Sequence, residues 1–589
     1  MIGTHLMPIL GAVSAAGGSL TSGSAIKINL NFIDFAILGI YLVFVIGIGF
    51  ALKKYAKTAE DYLLSGRSIP GWITGLAFIS ANLGAQELIG MAASGAEYGI
   101  MTSHYYWVGA IPAMVFLGIF MMPMYYGSKA KSVPEYLKMR YDERTRVFNS
   151  VSFAFLTIAS SGISMHVLAD LLHFLFDVNY TICLVATSAI VLIYVLKGGL
   201  SSAIYNEVLQ FFMIVFGIAP LAYLGLRAVG GWDGLVAKLQ NSTLGNGALH
   251  SWAETGTSAN PMGVPWYGIL FGLGFVLSFG YWCTNFAEVQ RALAANSMGA
   301  ARRTPIIGAV PKMLFPAVII LPGMIALALT QSPDLGGYSI PIKGDGALNY
   351  NQVLPSMINH YFPNGLLGLA MTALMASFMS GMAANVTAFN TVWTYDLYQG
   401  LSGGRKTDQE LLRMGKYATI GGIILSIGFA FVARNYNNIM SVLQLVFGFV
   451  NAPLFATFLL GMFTKRSNNT GSFWGLVSGT ASAIAFHGLS FARGNPLGVK
   501  GGWIAPQFEF SKEMSQAFLL AIVAFSVTFI VHAVLSLATS RKKSDEELTG
   551  LVYSLTPKYR EEGGSWIARP AVCGSLVILA AIILNIIFW

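Results

Sequence analysis

Apolar runs long enough to cross a bilayer recur from one end of this chain to the other, and their repetition decides most of what it can fold into. A membrane-crossing helix needs about twenty mostly apolar residues. Fourteen such runs are present: 33–53, 72–99, 104–126, 147–172, 179–197, 203–226, 264–289, 307–330, 364–397, 416–433, 437–463, 468–490, 515–539 and 566–588. Composition agrees, with 55% of the 589 residues hydrophobic and 10% charged, against about 25% charged in soluble domains. The polar loops 228–263 and 331–363 have room for short helices but not for a core of their own. The expected fold is all-α, a polytopic membrane bundle of about fourteen helices.

Charge sets the orientation. A net charge of +9 would suit nucleic acid if it formed one polar face, but the basic residues alternate between loops instead. With the N-terminus outside, the inner loops, among them 54–71, 127–146, 290–306, 398–415, 464–467 and 540–565, with the flanking helix ends, hold 26 of the 35 Lys and Arg residues. Eight lie outside, and Lys312 falls within a run. This positive-inside bias predicts both termini outside, in the cytoplasmic (plasma) membrane, with anionic lipid rather than nucleic acid as the partner of the basic surplus. Cys183, Cys283 and Cys573 all fall inside runs, so no extracellular disulfide framework is expected. Residues 1–25 lack a basic leader start and read as an outer tail, with a cleaved leader as the alternative.

Two runs are badly written for plain helices. The stretch 71–99 carries Asn82, Gly84, Gln86 and Glu87 in its middle, and 264–289 is interrupted by Gly280, Asn285 and Glu288. Hydrocarbon tolerates broken backbone or a carboxylate only where protein or a watery cavity lines it. These are the second and seventh runs, five apart, and discontinuous helices at matching positions of two halves point to a midplane site in an inverted-repeat transporter. The resulting organisation is a tail at 1–32, a first span with its loop at 33–71, a first repeat at 72–226, an outer loop at 227–263, a second repeat at 264–463 and accessory spans at 464–589.

The residues that carry a resemblance are the run from Ser80 to Gly95, YVLKGGLSSAIYNEVLQ (194–210), YWCTNFAEVQRALAANS (281–297), SFMSGMAANVTAFNTVWTYDLY (377–398) and FLLGMFTKR (458–466). Together they resemble the sodium/solute symporter family, nearest its sodium–glucose/galactose branch. The resemblance implies a five-plus-five inverted-repeat core of the LeuT type, alternating access, and sodium-driven uptake of a small solute. It also implies a sodium site in which the backbone carbonyls of Ser80, Leu83 and Ser377 join the Ser380 hydroxyl, oxygen donors that suit a hard cation. The family places a second hydroxyl after Ser380, where this chain has Gly381. That departure leaves weaker sodium binding, or coupling to H+, as alternatives. Without the resemblance, Ser377 and Ser380 read as small residues for helix packing.

The same resemblance assigns solute-binding positions. Gln444 and Lys312 match groups that hydrogen-bond sugar hydroxyls, and Tyr281 matches an aromatic gate on the cytoplasmic side. Glu87 stands where the sugar branch has Gln, His or Asn, Tyr106 where it has a carboxylate, and Ser278 where it has asparagine. Such a mixture of carboxylate, ammonium, amide and phenol suits a polyol, whose hydroxyls both donate and accept. Other readings stay open: Glu87 and Lys312 as a mutual ion pair, Tyr106 as packing, Gln444 as a contact between helices. Glu207 matches an acidic position that influences sodium passage, or is a charge at the surface. His166 and Asp170, four apart, are expected to pair. The histidines show no metal-ligand spacing and no phosphate loop is present. Secondary symport, an uncoupled channel or transceptor of the same fold, and a membrane enzyme are the classes considered. The enzyme lacks any acid/base or metal constellation.

Overall fold

The computed structural model describes residues 30–55, 57–84, 86–176, 178–332, 337–343, 346–402, 406–434, 439–498, 500–559 and 569–589. All but the last three residues of the expected tail 1–32 lie outside the described residues, as do Arg405 and the end of the 540–565 loop. Among the described residues, ten helices are long and apolar enough to cross a membrane. Two more spans are bent pairs: Gly71–Asn82 with Gln86–Ser103 turns by 59°, and Gly268–Thr284 with Phe286–Leu293 by 48°. Both breaks fall in the two runs expected to be discontinuous.

The remaining expected runs are reached through glycine. Tyr180–Ala228 is a 49-residue helix interrupted at Gly199, with φ 58° and ψ −148°. A β-carbon there would lie 2.4 Å from the Tyr62 carbonyl oxygen, so only glycine fits both the dihedral and the contact. This one residue divides the expected runs 179–197 and 203–226. The run 468–490 is the helix Asn469–Leu489. It packs along Glu513–Ala538 through Gly471, Gly475 and Gly479, whose β-carbons would meet that helix's backbone oxygens at 2.5 to 3.1 Å. Small residues let two apolar helices approach closely where no hydrophobic effect drives them together. All fourteen runs thus fall on helix, although twelve meet the length and hydropathy of a span when each bent pair counts once.

Burial sorts centre from rim. In Leu366–Gln399, 89% of the most apolar window is buried, against 17% in Phe32–Tyr55 and 22% in Pro570–Ile587. The buried helix lies against both the first broken helix and Tyr180–Ala228, while the outer two turn Phe32, Val43, Ile586 and Ile587 outward. Asp34 is the polar exception on the rim. Its buried carboxylate accepts from the Gly365 and Gly368 amides, both at 2.7 Å, and so caps the start of the central helix.

The loops gather at two ends, as alternation requires. At one end the buried Arg140 donates to the carbonyls of Gly461, Thr464 and Ser467, and Asp545 accepts from Lys465 and Arg541. At the other, Ser251 and His250 bond the carbonyls of Phe588 and Trp589. The long loops hold the short helices Gly231–Gln240 and Val353–Tyr361. Two three-residue strands, Ser490–Ala492 and Phe508–Phe510, pair in parallel between two spans, a small departure from an all-helical chain.

Candidate functional site

The first break is made by residues that release backbone oxygens. The helix ends at Asn82, Leu83 takes φ −73° and ψ 42°, and the second half restarts where the Glu87 and Leu88 amides bond the Gly84 carbonyl. Oxygens freed here need partners in a water-poor interior. Ser377 Oγ donates to the Leu83 carbonyl, and Ser380 Oγ donates to the Ser80 carbonyl at 2.9 Å while lying 3.4 Å from Ser80 Oγ. All four are buried. The four residues expected to hold sodium therefore meet, two from the break and two from the central helix. Their donors are carbonyl and hydroxyl oxygens, a set that fits a small hard cation. Ser80, Leu83, Ser377 and Ser380 would hold it, and the ion would supply the driving charge.

Gly381 follows on the same helix. A β-carbon there would sit 3.1 Å from Gly84 Cα, so the residue that departs from the family pattern is one that lets the central helix touch the break. Asn385, one turn along, donates to the Gly381 carbonyl at 2.9 Å.

The second break is capped by its own side chain. Asn285 has extended dihedrals, φ −70° and ψ 112°, and its Oδ1 accepts from the Ala287 amide at 3.0 Å, starting the helix Phe286–Leu293. A cavity lies between the two breaks, with about 780 Å³ of empty space including its mouth. Glu87, Tyr106, Ser278, Tyr281, Lys312 and Gln444 all line it, as do Gly381, Asn82, Trp282, Glu288, Asn385 and Phe447. Every residue singled out for the solute thus shares one space, contributed by five separate helices.

One hydrogen-bonded chain crosses that space. Lys312 Nζ donates to Glu87 Oε1 and, at 2.5 Å, to Asn82 Oδ1. Asn82 Nδ2 donates to the Tyr281 hydroxyl at 3.1 Å, and that hydroxyl donates to Glu288 Oε1 at 2.5 Å. The ammonium also lies 4.7 Å from the Tyr106 ring centre and 5.3 Å from that of Trp282, close enough for cation–π attraction. Tyr281 packs on Phe447 at 4.9 Å. Ser278 presses on Gly109, where a β-carbon would collide with its hydroxyl. Among the described residues Gln444 makes only a weak 3.5 Å contact to Met440 sulfur, and it lines the cavity. The Tyr106 hydroxyl lies beside the Glu87 carboxylate, without hydrogen-bond geometry to it.

Some polar residues are placed otherwise than expected. Glu207 is not a surface charge: it is fully buried and paired with Arg291, whose Nε donates at 3.2 Å. His166 hydrogen-bonds the Tyr180 hydroxyl at 3.0 Å, and Asp170 acts on it through its charge rather than by a hydrogen bond. Asn82 and Glu288 were legible as polar interruptions, yet nothing in the sequence showed that they join the two breaks. Among the described residues no group of three or more His, Cys, Asp or Glu could hold a metal.

Comparison with known proteins follows the same lines. Residues 62–479 match the model of a family described as the sodium:solute symporter family. A sodium/glucose cotransporter of Vibrio parahaemolyticus is 26% identical over 580 residues, covering 96% of this chain and 100% of that protein. Human sodium/myo-inositol cotransporter 2 is 29% identical over 469 residues, 76% of this chain and 68% of the other. The solved structure of a Na+-coupled sialic acid symporter superposes with a TM-score of 0.73 at 20% identity, covering 87% of this chain and 99% of that one. That likeness gives the arrangement of helices its type, the LeuT-type transporter core.

Proposed function

The chain belongs to the sodium:solute symporter family, and from that premise we propose that it imports a monosaccharide or related polyol by sodium-coupled symport with alternating access. It is a multi-pass membrane transporter with Na+ as coupling ion, not an enzyme. The observation that carries the finer reading is the meeting of all six solute-facing residues in one cavity whose wall includes Gly381, next to the serine and carbonyl cluster. Solute and ion then share the first broken helix, so occupancy of one changes the backbone that holds the other.

The cavity's groups suit a hydroxylated solute. Glu87 and Gln444 offer acceptors, Lys312 and Gln444 offer donors, and the rings of Tyr281, Trp282 and Phe447 offer faces for C–H groups. Tyr281 sits between cavity and second break, where a ring swing would open a path. The relatives named for glucose and myo-inositol support the same class. The test is uptake of radiolabelled monosaccharides, inositols and small carboxylates by proteoliposomes holding the full chain, with sodium or choline outside. Sodium-dependent accumulation of a neutral polyol is expected. Accumulation of carboxylates alone, or of nothing in the polyol panel, would overturn the solute class.

A further inference from the structure

The buried charges around the cavity do not sum to zero. Lys312 is paired with Glu87 and Arg291 with Glu207, leaving Glu288 as a fifth charged group with no ion pair of its own among the described residues. Its side chain is 1% exposed and faces the cavity. Oε1 accepts the Tyr281 hydroxyl, while Oε2 is buried without a hydrogen-bond partner. Charges inside a membrane normally pair or mark an ion or proton path. A carboxylate held this way has one oxygen fixed and the other buried without a partner, on a residue that lines the cavity.

The ionisable groups facing Glu288 are Tyr281 beside it, Arg291 along its helix, that arginine's partner Glu207 on the neighbouring helix Tyr180–Ala228, and Lys312 across the cavity. Arg291 is spent on Glu207, the Ala287 carbonyl and Gln290. Lys312 is spent on Glu87 and Asn82. Of the other packed helices, Met122–Gly127 brings Tyr125, whose hydroxyl donates to the Cys283 carbonyl, and the Cys283 thiol donates to the Ala113 carbonyl. The faces of Gly71–Asn82 and Leu366–Thr391 bring Asn82, Asn385 and Thr387, which are not ionisable. Among the described residues of this shell both positive charges, Arg291 and Lys312, are thus ion-paired with other carboxylates.

We propose that Glu288 is a proton-binding site of the solute cavity, separate from the sodium cluster, which takes up one proton when solute is bound and carries it across with sodium and solute. This rests on the symport reading above. The step is a simple transfer: a hydronium ion in cavity water gives its proton to Oε2, an O–H bond forms, water is left, and the carboxylate becomes a neutral acid. Two consequences follow from the geometry. The new O–H can donate to a solute hydroxyl, and Oε1, no longer anionic, holds the Tyr281 hydroxyl less strongly. Proton uptake thereby loosens the aromatic gate once the solute is in place.

Two measurements test this on the full chain in lipid. In proteoliposomes with a trapped pH indicator, sodium-driven uptake of glucose or myo-inositol should bring proton entry that depends on the solute. In Glu288→Gln the proton entering per solute should be lost, and in Glu288→Asp it should be regained. Sodium-driven uptake without proton entry, or entry that persists in Glu288→Gln, overturns the inference and leaves the symport reading standing. Absence of sodium-driven uptake would instead count against the symport reading. Infrared difference spectra then decide Glu288 without any solute. As pH is lowered, wild type should show one carboxyl protonation that Glu288→Gln lacks, since exposed carboxylates contribute equally to both. Identical spectra would overturn the assignment, as would a preference for amine-bearing solutes with no proton entry.

Discussion

Lys312 donates at once to the Glu87 carboxylate and to Asn82, so its loss is felt by two partners, one on each half of the first broken helix. Breaking a buried pair strands a charge and costs about 3–5 kcal/mol. Lys312→Ala should therefore depress thermal stability as well as uptake, and Glu87→Gln should be milder, since an amide keeps the shape and one acceptor. If Glu87 also receives solute hydroxyls, hydrogen bonds to charged groups contribute about 1.5–3 kcal/mol, and Glu87→Gln should raise the solute half-saturation about tenfold. Stability and uptake of the two single variants and the double variant form a cycle. Strong coupling in stability with unchanged solute affinity would reduce the pair to a structural one. Gly381 calls for a paired comparison. A β-carbon 3.1 Å from Gly84 Cα crowds the break, and overpacking of this kind costs about 1–3 kcal/mol. Gly381→Ala measures that crowding alone, whereas Gly381→Ser adds an oxygen to the cation cluster. The serine variant should show the lower sodium half-saturation of the two. Equal values would mean that the hydroxyl does not reach the ion.

At the scale of whole elements, glycine decides where helices stop and how near they come. Gly199→Ala should be poorly tolerated, because φ 58° is strained for alanine and the added carbon would meet the Tyr62 carbonyl. A loss of several degrees in the unfolding midpoint is expected, while Gly421→Ala, with open space at its β-carbon, should change little. Equal midpoints would mean that the 199 kink is not held by that contact. Both broken helices were legible in the sequence because polar and glycine residues inside an apolar run have no other physical excuse. The run at Asn469–Leu489 was legible from length alone, since its glycines and serines dilute its hydropathy. Partners were not legible. Hydropathy places Glu207 along a helix axis but not around it, so a fully buried ion pair with Arg291 looked the same as an exposed end. The same blindness to rotation hid the Asn82–Tyr281–Glu288 link and the hydrogen bond between His166 and Tyr180. Asp34 capping a helix more than three hundred residues away is a contact no local pattern announces.

Across the whole molecule, one end is held by exposed charge and the centre by buried charge, and the two respond differently to conditions. Arg541 first, then Lys465, hold the Asp545 carboxyl below the usual carboxylate range through their hydrogen bonds. A lowered carboxyl stabilises the fold above the ordinary pKa and loses that contribution as pH falls through its own lower value. Protection of the amides at residues 541–552, measured against their intrinsic exchange rate at each pH, should therefore fall on acidification below about pH 4, and Asp545→Asn should remove that dependence. The effect is small because the pair is exposed and screened by salt. Transport itself draws on a larger source. One sodium ion crossing a potential of about 100 mV releases about 2.3 kcal/mol, and a tenfold sodium gradient adds about 1.4 kcal/mol. Together, about 3.7 kcal/mol holds a solute gradient of several hundredfold. A proton carried on Glu288 in the same step would raise that ceiling by its own share of the potential, again about 2.3 kcal/mol per 100 mV. Proteoliposomes clamped at a fixed potential should thus accumulate solute to a higher limit in wild type than in Glu288→Gln, with the sodium-only limit reached by the variant. Equal limits would mean that sodium alone carries the charge, and accumulation as strong with choline as with sodium outside would mean that it does not carry it at all.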